Sequence, residues 1–231
     1  MGQSQAISIQ SWLNDLLGRE NSDNTFLMMS YFQTLLIDIH QCSGHPDIGG
    51  LHVEITDSPC RKAILTLNSI AHNEYGGDFG KYVTDFFSGN RTYMPSQSCW
   101  RVKEGISLCP GTRQDIKGLP ISIPISLCAE IKSDSGVQDV WDFPLILFPE
   151  TDLAAKRHDI VYDLVGFALF SPTLAHFIAQ YVHHNNIITY DGMKHNGVTI
   201  LEENATTETH LTGRHPILPA GYTIHQAFYR L

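Results

Sequence analysis

The spacing of apolar residues changes character near residue 90. From Ile7 to Leu17 the apolar positions Ile9, Trp12, Leu13, Leu16 and Leu17 recur at helical spacing, and Gly18 stands where a C-cap would. A second helix is predicted from Thr25, a capping residue, with Phe26, Met29, Phe32, Leu36 and Ile39 along one face, ending before Gly44 and Pro46. Leu51, Val53 and Ile55 then alternate as a short strand. A third helix is predicted to open at Asp57, Ser58, Pro59 and Cys60 and to carry Ala63, Ile64, Leu67, Ile70 and Ala71, with Gly76 and Gly77 as its stop. A fourth short one runs from Asp78 to Phe87.

Beyond Gly89 the period falls to two. Ile121, Ile123, Ile125, Leu127, Ala129 and Ile131 face one side of a strand, while Ser122, Ser126 and Glu130 face the other. Pro124 within that run marks an edge or a bulge. Further strands are predicted at Phe143 to Phe148, Leu164 to Phe170, Phe177 to Val182, Ile187 to Tyr190, Val198 to Leu201 and Tyr222 to Tyr229, with turn-forming stretches between them. The expected architecture is α+β: a mainly helical lobe over 1–90 packed on a mainly antiparallel β lobe over 91–231, within a single domain.

Charge and cysteine usage narrow the function classes. The formal net charge is -9, and the fifteen Lys and Arg residues are scattered, so no nucleic-acid groove is expected. No apolar run approaches the roughly 20 residues of a bilayer span, and no basic-then-apolar leader opens the chain. Five cysteines, an odd count without close pairs, point to free thiols in a reducing compartment, cytoplasm or nucleus. Cys42 with His45 offers half of a zinc site without a second half at matching spacing, so no metal and no cofactor is expected.

The stretch Ala175 to Gly197 carries the candidate chemistry. His176 heads one apolar strand and Asp191 closes the next. The separation leaves room for a strand of about six residues, a turn at His183 to Asn186 and a return strand, which brings the two side chains together because cross-strand neighbours lie about 5 Å apart. A hydrolase with a serine or cysteine nucleophile needs such a base and such an orienting carboxylate. On spacing alone, Asp191 could equally open a turn with Gly192, and His183, His184 and His195 read as turn residues.

The run Tyr162, Leu164, Val165, Gly166, then His176, Phe177, Ala179, then Tyr190 and Asp191, resembles the histidine and aspartate boxes of papain-like deubiquitinating proteases, in particular the ubiquitin-specific proteases. Ala227 to Leu231 is similar to that family's last core strand, and the stretch from Leu119 sits where it has the first strand of its palm. His176 to Gly192 also resembles the smaller ubiquitin C-terminal hydrolases. Ala175 replaces the glycine usually found before the histidine. The resemblance covers roughly Leu119 to Leu231. It implies a papain-like cysteine protease fold, a partner that is ubiquitin or a ubiquitin-like protein, cleavage of peptide or isopeptide bonds after that modifier, His176 as base and Asp191 as its orienter.

The family's asparagine-x-cysteine-aromatic box has no counterpart in this sequence. Cys60 is the first candidate nucleophile, because a predicted helix N-terminus and the adjacent Arg61 and Lys62 would stabilise a thiolate. Cys99, followed by Trp100, is the second. The third alternative is that the box belongs to sequence upstream of residue 1, which would make the chain a truncated or degenerate pseudo-protease that binds ubiquitin or another protein without cleaving it.

Overall fold

The computed structural model describes residues 31–45, 50–55, 60–62, 64–88, 97–99, 102–132, 139–149 and 160–231. Its elements in chain order are β1 (Thr34–His45), β2 (Gly50–Ile55), β3 (Cys60–Lys62), β4 (Ile64–Leu67), α1 (Ser69–Tyr75), α2 (Phe79–Ser88), β5 (Gln97–Ser98), β6 (Val102–Lys103), β7 (Ile106–Ser107), β8 (Thr112–Pro120), β9 (Ser126–Ile131), β10 (Ile146–Leu147), β11 (Tyr162–Ser171), β12 (His176–His183), β13 (Asn186–Tyr190), β14 (Ile200–Leu201), α3 (Thr207–His210) and β15 (Thr223–Arg230).

This arrangement overturns the expected α+β division, in which a helical N-terminal half of a papain-like fold packs on an antiparallel sheet. The described part of the first ninety residues contributes four strands and only two short helices, and the second sheet is mixed, because β4 runs parallel to β9. The helix predicted from Thr25 to Ile39 gives way to β1 over its second part. Leu35, Leu36, Ile37 and Ile39 form a near-continuous apolar run that fits either period, and pairing decides it. β1 has β8 along one edge and β2 and β3 along the other. The helix predicted from Asp57 is replaced by β3 and β4 and begins only at Ser69. The helix predicted over Ile7 to Leu17 lies outside the described residues.

Elsewhere the pattern and the fold agree. Helix α2 buries Phe79, Tyr82, Val83 and Phe86, an i, i+3, i+4, i+7 stripe. Asn68 caps α1 by accepting the Ala71 N–H at 2.9 Å, and Gly76 ends it in the left-handed region at φ +62°. The strands predicted after residue 160 all form, and they join β9, β10 and β4 in a sheet of order β14-β13-β12-β11-β15-β9-β4, with β10 beside β11. A separate sheet has the order β2-β1-β8-β5 with β3 against β1, and β6 and β7 make a small hairpin. One core lies between the larger sheet, α2 and the segment from Trp141 to Leu147, where Phe79 tilts against Phe143 and Tyr229. The Tyr162 hydroxyl donates to the Pro124 carbonyl and Tyr229 donates to the Pro144 carbonyl at 2.9 Å, tying two proline-containing segments to the sheet. Burial pushes both phenols above the usual tyrosine range, so both remain donors. Among the described residues no helix is long and apolar enough to cross a membrane.

Candidate active site

His176 opens β12 opposite Ser171, the last residue of β11, and the two strands are joined by the turn over 172–175. The Leu174 N–H donates to Ser171 Oγ at 3.4 Å, and Ala175 takes φ +47°. That left-handed conformation suits glycine, so Ala175 adopts it with strain. A two-residue turn, His184 and Asn185 with φ +48° and +63°, then sends the chain back along β13. Because Ala179 pairs with Tyr190, Asp191 emerges beside the head of β12.

The two side chains meet: His176 Nε2 and Asp191 Oδ1 are 2.8 Å apart. The Met193 N–H also donates to Asp191 Oδ1 at 3.0 Å, and Lys194 Nζ lies 3.7 Å from Oδ2. Asp191 therefore holds the histidine and opens a turn at once. It is only 7% exposed. Burial raises its carboxyl pKa, but the His176 hydrogen bond, the Met193 N–H and the charges of His176 and Lys194 outweigh that and leave it below the ordinary value. The carboxylate fixes which ring nitrogen carries the proton: Nε2–H donates to Asp191, so Nδ1 is left as the acceptor. Among the described residues the His176 ring makes no other hydrogen bond. Leu174, Tyr190 and Met193, each within two residues of the pair, are exposed apolar groups.

The candidate nucleophiles are placed differently. Cys60 opens β3 opposite Leu36, in the smaller sheet, so the helix N-terminus that was to acidify its thiol is not there. Cys99 is buried in a cluster with Cys42 and Cys109, apart from the core beneath His176. Cys128 lies in β9 opposite Phe228, and burial, with Glu130 nearby, pushes its thiol up to about 12. Cys42 lies within β1.

The cysteine cluster is the feature that sequence reasoning passed over. The sulfurs of Cys42, Cys99 and Cys109 lie within 4.8 Å of one another, and the Cys42 and Cys109 sulfurs are 3.7 Å apart. The hairpin of β6 and β7 separates Cys99 from Cys109, and pairing of β1 with β8 brings Cys42 alongside. Zinc takes four such ligands in tetrahedral array at about 2.3 Å from sulfur, so three of the four positions can be filled by these thiolates. Cys42 and His45 stand at the ends of a C-x-x-H spacing on β1, and Cys99 and Cys109 are the matching half that a short-range motif search does not find. Protein produced with zinc present is expected to hold about one metal ion per chain by elemental analysis, with Cys109→Ser losing it and melting several degrees lower. A metal content unchanged by that substitution would rule the cluster out as a ligand set.

No protein-family model matches the chain, and no curated protein matches it. Among solved structures it is similar to the SAGA DUB module of Ubp8, Sgf11, Sus1 and Sgf73, at 12% sequence identity and a TM-score of 0.46. That similarity covers 87% of this chain and 41% of the other, so this chain spans less than half the length of the structure it matches.

Proposed function

We propose that this chain is a deubiquitinase-like domain in which His176 and Asp191 serve as general base and orienter of a cysteine hydrolase that cleaves peptide or isopeptide bonds after ubiquitin or a ubiquitin-like modifier. The observation that carries the reading is the 2.8 Å contact from His176 Nε2 to a buried Asp191, which leaves Nδ1 to accept a thiol proton. The thiolate so formed attacks the carbonyl carbon at the modifier's C-terminus. The imidazolium then protonates the leaving amine, and water, deprotonated by the same imidazole, releases the thioester.

A second reading is favoured by the cysteines. Cys42, Cys99 and Cys109 share their own cluster and Cys128 is held as a thiol, so none of these four is presented to His176. In that reading the domain binds the modifier without cleaving it. Incubation with a ubiquitin propargylamide probe, alongside calorimetry with unmodified ubiquitin, separates the two. An adduct that fails to form in His176→Ala supports the hydrolase. Binding without any adduct supports the binding module, and neither adduct nor binding sinks both.

A further inference from the structure

A cavity of about 260 Å³ opens between the end of β9, the start of β15, the segment from Asp139 to Phe143 and the loop over 214–218. Ile131, Phe143, Leu218 and Ile224 give it an apolar lining. Hydrogen bonds tie down its walls. His72 Nε2 donates to the Val140 carbonyl at 3.0 Å and the Gly213 N–H to the Phe143 carbonyl at 3.3 Å. The Arg214 guanidinium donates to the Gly76 carbonyl and the Ile217 N–H to the Thr209 carbonyl, both at 2.9 Å. Walls held in this way make a cavity that exists before anything binds.

Two polar groups in these walls lack partners. The Trp141 indole Nε1–H and the Asp139 carboxylate oxygen Oδ2 are buried without a hydrogen bond, and their residues line the same cavity two positions apart in sequence. The His72 and Tyr82 rings stand edge-on to Trp141 at 5.5 and 5.9 Å, so the indole is held in place. A buried donor and a buried acceptor cost free energy until something pairs with both.

We propose that this cavity takes a tyrosine side chain of a partner polypeptide, with the phenol donating to Asp139 Oδ2 and accepting from Trp141 Nε1–H. A lysine or arginine has no acceptor for the indole, and an ionised carboxylate has no donor for Asp139. Serine, threonine, asparagine and glutamine offer both but leave the apolar lining unfilled. Phenylalanine and leucine fill the lining and leave both polar groups unpaired. Histidine splits donor and acceptor between two ring atoms, whereas a single phenol oxygen serves both. The volume lies just below the roughly 300 Å³ at which pockets for whole small molecules begin, which suits one side chain. Val140 and Ile217, 48% and 56% exposed, flank the lining residues and give a polypeptide apolar surface to rest on. Arg214 adds a cation for the face of the ring. None of these residues belongs to the dyad, so the pocket stands or falls apart from the function proposed above.

The test titrates the full chain, labelled with nitrogen-15, with the peptide Gly-Gly-Tyr-Gly-Gly and with its phenylalanine and histidine counterparts. The readout is the Trp141 indole N–H signal, which Trp141→Phe assigns. The tyrosine peptide is expected to move that signal downfield and to bind about tenfold tighter than the phenylalanine peptide. Asp139→Ala, at a partly exposed position, should cut the preference to roughly threefold or less. Leu218→Trp, which fills the cavity, should abolish binding of every peptide while circular dichroism shows the fold intact. Equal affinity for tyrosine and phenylalanine, tighter binding of histidine, or a preference that survives Asp139→Ala overturns the pocket. So does an indole signal that millimolar tyrosine peptide leaves unmoved, which would make water the partner of both groups.

Discussion

Gly166→Ala is expected to lower stability by about 3 kcal/mol, the upper part of the range for overpacking, and to drop the melting temperature by roughly 6–12 °C for a chain of this size. A Cβ on Gly166 would stand 2.3 Å from the Gln180 carbonyl oxygen and 2.6 Å from the Tyr181 Cα. Both are backbone atoms of the facing strand, so no rotamer change relieves the clash and β12 must move. Gly166 is flanked on both edges, by Tyr181 in β12 and Phe228 in β15, beside a register shift in the second ladder. Displacing β12 carries His176 away from Asp191, so the variant should lose dyad geometry as well as stability. Thermal melting by circular dichroism measures the effect, and a shift under about 2 °C would show that β11 and β12 do not pair in this register.

Asp191→Asn is expected to reduce any hydrolytic turnover by about tenfold, because a charge-assisted hydrogen bond to the imidazolium is stronger than a neutral one by about 1–2 kcal/mol. The amide oxygen can still accept from Nε2–H, so what the substitution removes is the negative charge that stabilises the imidazolium. Binding of ubiquitin should change little, which separates this effect from unfolding. The same substitution has a signature in acid. The folded-state pKa of Asp191 lies below its ordinary value, so the carboxylate contributes stability that is present above pH ~4 and lost as pH falls through the lowered pKa. Wild-type protein should therefore show an acid loss of stability that is shallower in Asp191→Asn. Superimposable acid limbs would mean that Asp191 gains nothing from His176, and unchanged turnover would remove it from the mechanism.

What the sequence made legible is local. The β12 and β13 hairpin could be inferred because its apolar alternation, turn and return strand lie in one continuous stretch, and the dyad follows from that geometry alone. Glu130 could be placed on the face opposite Leu127, Ala129 and Ile131, although not its burial. The N-terminal strands were misread for a physical reason. β1 gets its edges from β8, some seventy residues later, and β4 pairs with β9, so tertiary pairing settled what the local period left open. The cysteine cluster was invisible for the same reason, since its three thiols come from segments that meet only when the smaller sheet closes. The family resemblance of the C-terminal boxes pointed to the dyad but carried with it a helical lobe that the described residues do not form.

The position of β15 bears on how this protein is made. It lies in the interior of the larger sheet, with β11 on one side and β9 on the other, and β9 in turn holds β4 from the first third of the chain. Residues 64 and 230 thus belong to one cooperative unit, and loop-closure entropy must be overcome across most of the chain before the sheet gains its central ladder. During synthesis, β11, β12 and β13 emerge as a meander whose open edge waits for β15, and the dyad cannot become rigid until that edge is filled. Nascent chains stalled before residue 223 should therefore expose an unpaired strand edge and depend on chaperones, whereas chains stalled well beyond residue 230 should resist proteolysis.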